Sequence, residues 1–392
     1  MPETSSNTSL WVRALFPLAL LAILVVILLR HGPLGMLESG AIPVEDLVIE
    51  RITLPEPNVM KLRVVNGGAE PVTIAQITID DAAWVHTLDG DRRMERLSSR
   101  VITIPYPWVT GERHVVKLVT STGVTFESEV QAAVQTPRAG AKQIGMFAVL
   151  GIYVGVIPVL LGLLWLPFLR RVEHETLDFF LAFTVGLLLF LGIEAMAEAL
   201  DMSQLVPGAY QGLGIVMLGS TLTALLLFAL GRADSSRTQT GEGAANRLAL
   251  LVAIGIGLHN LGEGLAVGSA YATGEIALGT FLVLGFLLHN TTEGLAIVTP
   301  LASGRPRVSR LIGLGLLAGL PTIAGAWIGG LSYSPVLTTL FFAIGAGAIA
   351  QVIYAIASFF AGSERGLTSP RNAAGFALGM LVMYATGLFV AA

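Results

Sequence analysis

The sequence predicts a polytopic α-helical membrane protein: a bundle of eight helices, preceded by one N-terminal transmembrane anchor and a small extracytoplasmic β-sandwich. Three observations carry this reading. The 392 residues are 54% apolar and only 13% charged, with a mean hydropathy of +0.74, well beyond the balance of a soluble domain. Apolar runs of bilayer-crossing length recur through the C-terminal two thirds. Between the first such run and the others, residues 44–136 change to charged residues and period-two alternation.

The same composition excludes several classes. A net charge of −4 leaves no basic footprint for nucleic acid, and the absence of cysteine removes disulfides, zinc–thiolate sites and iron–sulfur clusters.

Taken in order, residues 1–32 are a short polar tail and one apolar span, Leu10 to Leu29, broken by Arg13 and Pro17. It reads as a signal anchor in preference to a cleaved signal peptide. Residues 44–136 hold strand-like segments at 47–54, 60–65, 72–79, 101–104, 114–120 and 124–130, with turn signals at Asn66-Gly67-Gly68 and Ser121-Thr122-Gly123. Six or seven short strands in about 90 residues fit an immunoglobulin-like sandwich. Trp84 and Trp108 are expected to fill its core, and His86 and His114 to occupy ordinary surface or core positions. Gln135 to Gln143 reads as a linker.

Residues 145–392 form the third region, with spans expected at 145–169, 177–200, 210–231, 248–271, 276–300, 311–332, 335–360 and 373–391. Arg170, Arg171, Arg232, Arg237, Arg247, Arg305, Arg307, Arg310, Arg365 and Arg371 fall in alternate loops, and the other loops carry neither Lys nor Arg. The positive-inside rule makes the Arg-bearing loops cytoplasmic. The β region and the C-terminus are then extracytoplasmic and the N-terminus cytoplasmic, in a multi-pass protein of a plasma (inner) membrane. The loop from Arg232 to Arg247, rich in Ser, Thr and Gly, is expected to be flexible.

Spans four and five carry near-identical hexapeptides, His259-Asn260-Leu261-Gly262-Glu263-Gly264 and His289-Asn290-Thr291-Thr292-Glu293-Gly294. His and Glu four apart share one helix face, and both motifs lie near mid-span. Ionisable groups at that depth cost on the order of 2.5–3.5 kcal/mol each, so a duplicated pair of them points to a ligand more than to interhelical glue. Imidazole with carboxylate suits zinc and other first-row divalent ions.

These motifs resemble those of the ZIP (Zrt/Irt-like) family of divalent-metal transporters, whose fourth and fifth helices carry HNxPEG-type sequences. The span count, outward C-terminus and polar loop after span three are similar too, over residues 145–392. Phe183 to Leu200 resembles the family's second helix, with Glu194 where His is usual and Glu198 on the usual Glu. The resemblance implies metal ligation by His259, Glu263, His289 and Glu293, with Asn260 and Asn290 serving a neighbouring site. Glu194 and Glu198 would gather cations at the entrance, with Gln351 as a further residue of the entrance or pathway. The chain departs from the family at Gly262 and Thr292, which replace the motif proline, and at Thr322 and Gln351, which stand where acids are expected in spans six and seven. One firmly held metal is therefore expected before two.

The function expected is entry of divalent cations into the cytoplasm, zinc by default and iron(II) or manganese(II) as alternatives, driven by gradients, since no GxxxxGK[ST] motif occurs. No cofactor and no enzymatic activity are expected. Two other functions stay open: a receptor or regulator on a degenerate scaffold, and an intramembrane metallohydrolase, although no HExxH occurs. Expected partners are divalent ions and the lipid bilayer. A homodimer is open, and the partner of the β domain is unidentified.

Overall fold

A computed structural model describes residues 7–31, 44–136, 138, 140–233, 242–273, 276–332, 334–361 and 366–388. Among them, seven helices are long and apolar enough to cross a membrane. Spans one to seven are Ala141–Leu169, His174–Ser203, Gly208–Gly231, Glu242–Thr273, Leu278–Leu301, Val308–Ser332 and Pro335–Ser358. An eighth helix, Pro370–Gly387, packs along span two. Arg371 and Asn372 in its first turn make it less apolar than the other seven, and residues 389–391 of its expected range lie outside the described residues.

The helix expected from Leu10 to Leu29 spans Asn7–His31 and takes Pro17 into its interior. Its apolar side chains from Leu15 to Ile27 are exposed.

The polar loop after span three is shorter than expected. Glu242 to Arg247 are helical and extend span four outward from its apolar part, because Ala244, Ala245 and the acidic first-turn Glu242 favour a helix start. Residues 234–241, with Arg237, lie outside the described residues, as does Arg365 of the last loop.

Residues 47–130 form strands β1 (Leu47–Glu56), β2 (Val59–Asn66), β3 (Val72–Ile79), β4 (Ala82–Ala83), β5 (Thr87–Leu88), β6 (Arg93–Met94), β7 (Ser99–Ile104), β8 (His114–Thr120) and β9 (Thr125–Val130). One antiparallel sheet runs β1-β2-β7-β5 and the other β4-β3-β8-β9, with β6 on β3. Met60, Leu62 and Ile102 of the first share one apolar cluster with Ile74, Ile77 and Leu118 of the second, so the inner faces pack against each other. Gly123 at φ +89° makes the β8–β9 turn. Asn66 is no hairpin turn: its buried amide bonds to Glu70 O and Met94 O while the chain passes to the other sheet.

Trp84 and Trp108 are only partly buried, against expectation. Aliphatic side chains fill the core, and the indoles lie over its rim. There Trp108 Nε1 reaches Glu56 O at 3.1 Å, and Trp84 meets Tyr106 edge-on at 4.9 Å. A ring N–H needs a polar partner, which a rim supplies. His114 is a core residue, its Nδ1 2.8 Å from Asp80 Oδ2. Tyr106 donates its hydroxyl to the same oxygen at 3.0 Å. Partial burial and this bond to a carboxylate push the Tyr106 phenol up to about 12. Burial alone would raise the Asp80 carboxyl, but the hydrogen bonds from Val115 N–H, His114 and Tyr106 outweigh it and hold the carboxyl below its ordinary value.

The β sandwich rests on one end of the bundle. Asp46 Oδ2 accepts from Gly208 N at 2.9 Å, Gly67 O accepts from Ala209 N at 3.0 Å, and Arg51 reaches Leu331 O at 3.4 Å.

Within the bundle, span four packs along span six and span five along span one, while spans two and three and the eighth helix gather around span seven or each other. The two sets meet chiefly where span seven runs along span four.

Candidate metal centre

Small residues bring the bearing helices together. A Cβ on Gly264 would lie 2.0 Å from Thr322 O of span six, and one on Gly294 would lie 2.2 Å from Val159 O of span one. The terminal glycine of each hexapeptide is thus the point where its helix touches a neighbour backbone to backbone. Spans four and five are seated in this way against spans six and one, and their motifs face each other.

The Asn of each motif then binds a main-chain carbonyl of that same neighbour. Asn290 Nδ2 donates to Val154 O at 3.0 Å, and Asn260 Nδ2 to Ala318 O at 3.1 Å. Both carbonyls lie where the helix is interrupted. Span one widens into a π turn at Ile152–Val156, and Pro158, four residues beyond Val154, has no N–H to offer it. Span six breaks between Gly319 and Pro321, one residue after Ala318. The prolines missing from the two hexapeptides are matched by prolines in the helices they pack on.

His259, Glu263, His289 and Glu293 come together as the sequence requires. All four are buried, and each offers a ligand atom within 4.8 Å of the others'. His289 Nε2 contacts Glu263 Oε1, and Asn290 Nδ2 donates to Glu263 Oε2 at 2.9 Å. His259 Nε2 stands 3.3 Å from Glu263 Oε1 but out of hydrogen-bonding alignment. The Phe286 ring lies 5.1 Å from that of His289.

Much of this polarity is unsatisfied. Among the described residues, both ring nitrogens of His259, both oxygens of Glu293 and the Oδ1 atoms of Asn260 and Asn290 have no hydrogen-bond partner. A buried polar group without a partner costs about 1–3 kcal/mol, and a charged one more. Two carboxylates and two imidazoles brought together in one buried place form a donor set for a divalent ion of the zinc, iron(II) or manganese(II) kind.

The remaining residues expected at the site do not join this cluster. Glu194 and Glu198 lie on an exposed face of span two, although Glu194 is near enough to His289 to act on it electrostatically. Thr322 is fully buried with its hydroxyl unpartnered, turned to the close approach at Gly155 of span one. Gln351 is buried too, but its amide faces the end of span three near Gly231 and Arg247. Sequence reasoning did not assign the motif glycines or the asparagine-to-carbonyl bonds. The usable signal was the placing of Pro158 and Pro321 in the partner helices.

In comparisons with known proteins, the chain matches no family model and no curated protein.

Proposed function

We propose that the protein carries divalent transition-metal cations across a membrane into the cytoplasm, zinc by default and iron(II) or manganese(II) as alternatives, in the manner of ZIP-like transporters. The observation that supports this most is the buried His259–Glu263–His289–Glu293 cluster with its unpartnered oxygens and nitrogens. Two carboxylates balance the charge of one divalent cation, so the ion can be desolvated without leaving net charge in the bundle. The amide oxygens of Asn260 and Asn290 add neutral donors beside it. The division of the helices into two packed sets supports alternating access by one set moving against the other. With no acid at Thr322 or Gln351, the reading is one tightly held ion at a time. A membrane potential of 100 mV acting on two charges supplies about 4.6 kcal/mol.

A topology with the β sandwich and C-terminus extracytoplasmic and the N-terminus cytoplasmic goes with this reading, in a plasma (inner) membrane. Uptake of radiolabelled zinc into proteoliposomes, wild type against Glu263→Ala plus Glu293→Ala, tests it. Saturable uptake lost in the double variant is the expected outcome. Background flux in both, with zinc still bound by the wild type, would overturn transport and turn attention to a receptor or a hydrolase.

A further inference from the structure

Strand register forces three cations onto one face of the β sandwich. Arg51 on β1 is directly opposite Arg63 on β2, and Thr53 is opposite Lys61. Lys61 and Arg63 are two residues apart and project to the same side. The alternate residues of β2, Met60, Leu62 and Val64, point inward and fill the core. The charged face looks onto the bundle, where it closes a cavity of about 530 Å³ with Tyr210, Leu331 and Ser334. Tyr210 lies at the start of span three, Leu331 at the end of span six and Ser334 between spans six and seven.

Like charges directly opposite on adjacent strands repel, yet here they are turned into a partly enclosed space. Arg63 has Glu50 at 3.1 Å. Among the described residues, neither Arg51 nor Lys61 is paired with a carboxylate, and Arg51 is half-buried with only the carbonyl of Leu331 as acceptor. Three cations against one carboxylate leave a local excess of two positive charges. Hydroxyls of Thr53, Tyr210 and Ser334 add neutral donors around the same space.

We propose that this cavity binds a phosphate-bearing anion. Guanidinium forks match phosphate oxygens in pairs, and an ammonium adds a mobile third donor. The cavity lies level with the ends of spans six and seven, where the headgroup layer of a bilayer would be, so the phosphate belongs either to an anionic lipid or to a free phosphate compound. Bound there, it would join the β sandwich to the bundle through ligand as well as through the Asp46 contact. The same charges repel a divalent cation, so the ion bound at the metal centre is not the ligand here.

The test uses the full chain in detergent. Native mass spectrometry reads retention of added phosphatidylglycerol against phosphatidylcholine, and equilibrium dialysis reads inorganic phosphate. Wild type is compared with the triple variant Arg51→Gln, Lys61→Gln, Arg63→Gln. Retention of phosphatidylglycerol, weakened about tenfold or more in the triple variant, identifies a lipid site. Inorganic phosphate bound by the wild type and lost in the triple variant, with no lipid preference, identifies a soluble ligand. Both results support an anion site. Binding of neither probe, or equal binding by wild type and triple variant, overturns it. Lys61→Gln alone changes an exposed side chain and leaves the fold intact. Should the triple variant not fold, a weakening of about threefold in Lys61→Gln decides for the site and unchanged affinity decides against it.

Discussion

Replacing Gly264 by alanine tests the packing that builds the candidate metal centre. The new methyl would sit 2.0 Å from Thr322 O and 2.8–2.9 Å from the carbonyl carbon and Cα of the same residue, whereas ordinary contact begins near 3.4 Å. All three atoms are backbone, so no side chain can swing aside and the two helices must part. Overpacking of this kind costs about 1–3 kcal/mol. The geometry also fixes a second consequence. A retreat of span six by roughly 1 Å takes the Asn260–Ala318 contact, now 3.1 Å, beyond hydrogen-bonding range. Gly264→Ala should therefore lower thermal stability and weaken zinc binding together. Gly313→Ala, in span six itself, is the control, because a Cβ there meets nothing within 4 Å. Alanine is the better helix former by about 0.5–1 kcal/mol, so that variant should gain slightly in stability and bind zinc as the wild type does. Thermal unfolding of the two purified variants with parallel zinc titration makes the comparison. If Gly264→Ala matched Gly313→Ala in both readings, the close approach of spans four and six would not be what seats the site.

Three further outcomes follow from particular contacts. Asn290→Leu leaves Val154 O and one oxygen of Glu263 without their donor, so it should cost about 1–3 kcal/mol of stability and weaken metal binding; unchanged melting would show the carbonyl to be satisfied otherwise. Tyr106 has a folded-state pKa above its unfolded value of about 10, reaching about 12. Its stabilising contribution is therefore complete below pH 10 and disappears as pH rises through 12; alkaline unfolding followed by tyrosine absorbance should lose this component in Tyr106→Phe. Asp46→Ala removes the acceptor for Gly208 N and should increase cleavage by added protease between the β sandwich and span one, with zinc binding preserved; an unchanged digestion pattern would show that this contact does not hold the sandwich in place.

Much of this molecule is written in short-range patterns. Period-two alternation located all six longer strands, because each sheet buries one face against the other. The duplicated hexapeptide located the four residues that cluster as candidate metal ligands, because four-residue spacing on a helix is independent of neighbouring chains. What escaped depends on contacts between distant segments. Gly264 and Gly294 have partners fixed only by how spans one and six lean on them, and Asn290 finds Val154 O 136 residues away. The aromatic residues misled for a related reason. Trp84 and Trp108 are large enough to fill a core, but compact aliphatic side chains already close it, and an indole N–H is better satisfied at the rim. Glu194 and Glu198 share an exposed face of span two, outside the four-residue cluster, with Glu194 near enough to His289 to act on it electrostatically. Gln351 lies on the expected helix yet toward the far end of span three.

The account turns on one metal being held by His259, Glu263, His289 and Glu293. X-ray absorption at the zinc edge, on purified protein loaded with one equivalent, measures that coordination directly. The expected spectrum has nitrogen and oxygen neighbours only, near 2.0–2.1 Å, with the multiple-scattering signature of two imidazoles. In His259→Ala plus His289→Ala that signature should vanish and the affinity should fall. A zinc spectrum and stoichiometry identical in wild type and double variant would place the bound metal elsewhere and contradict the account.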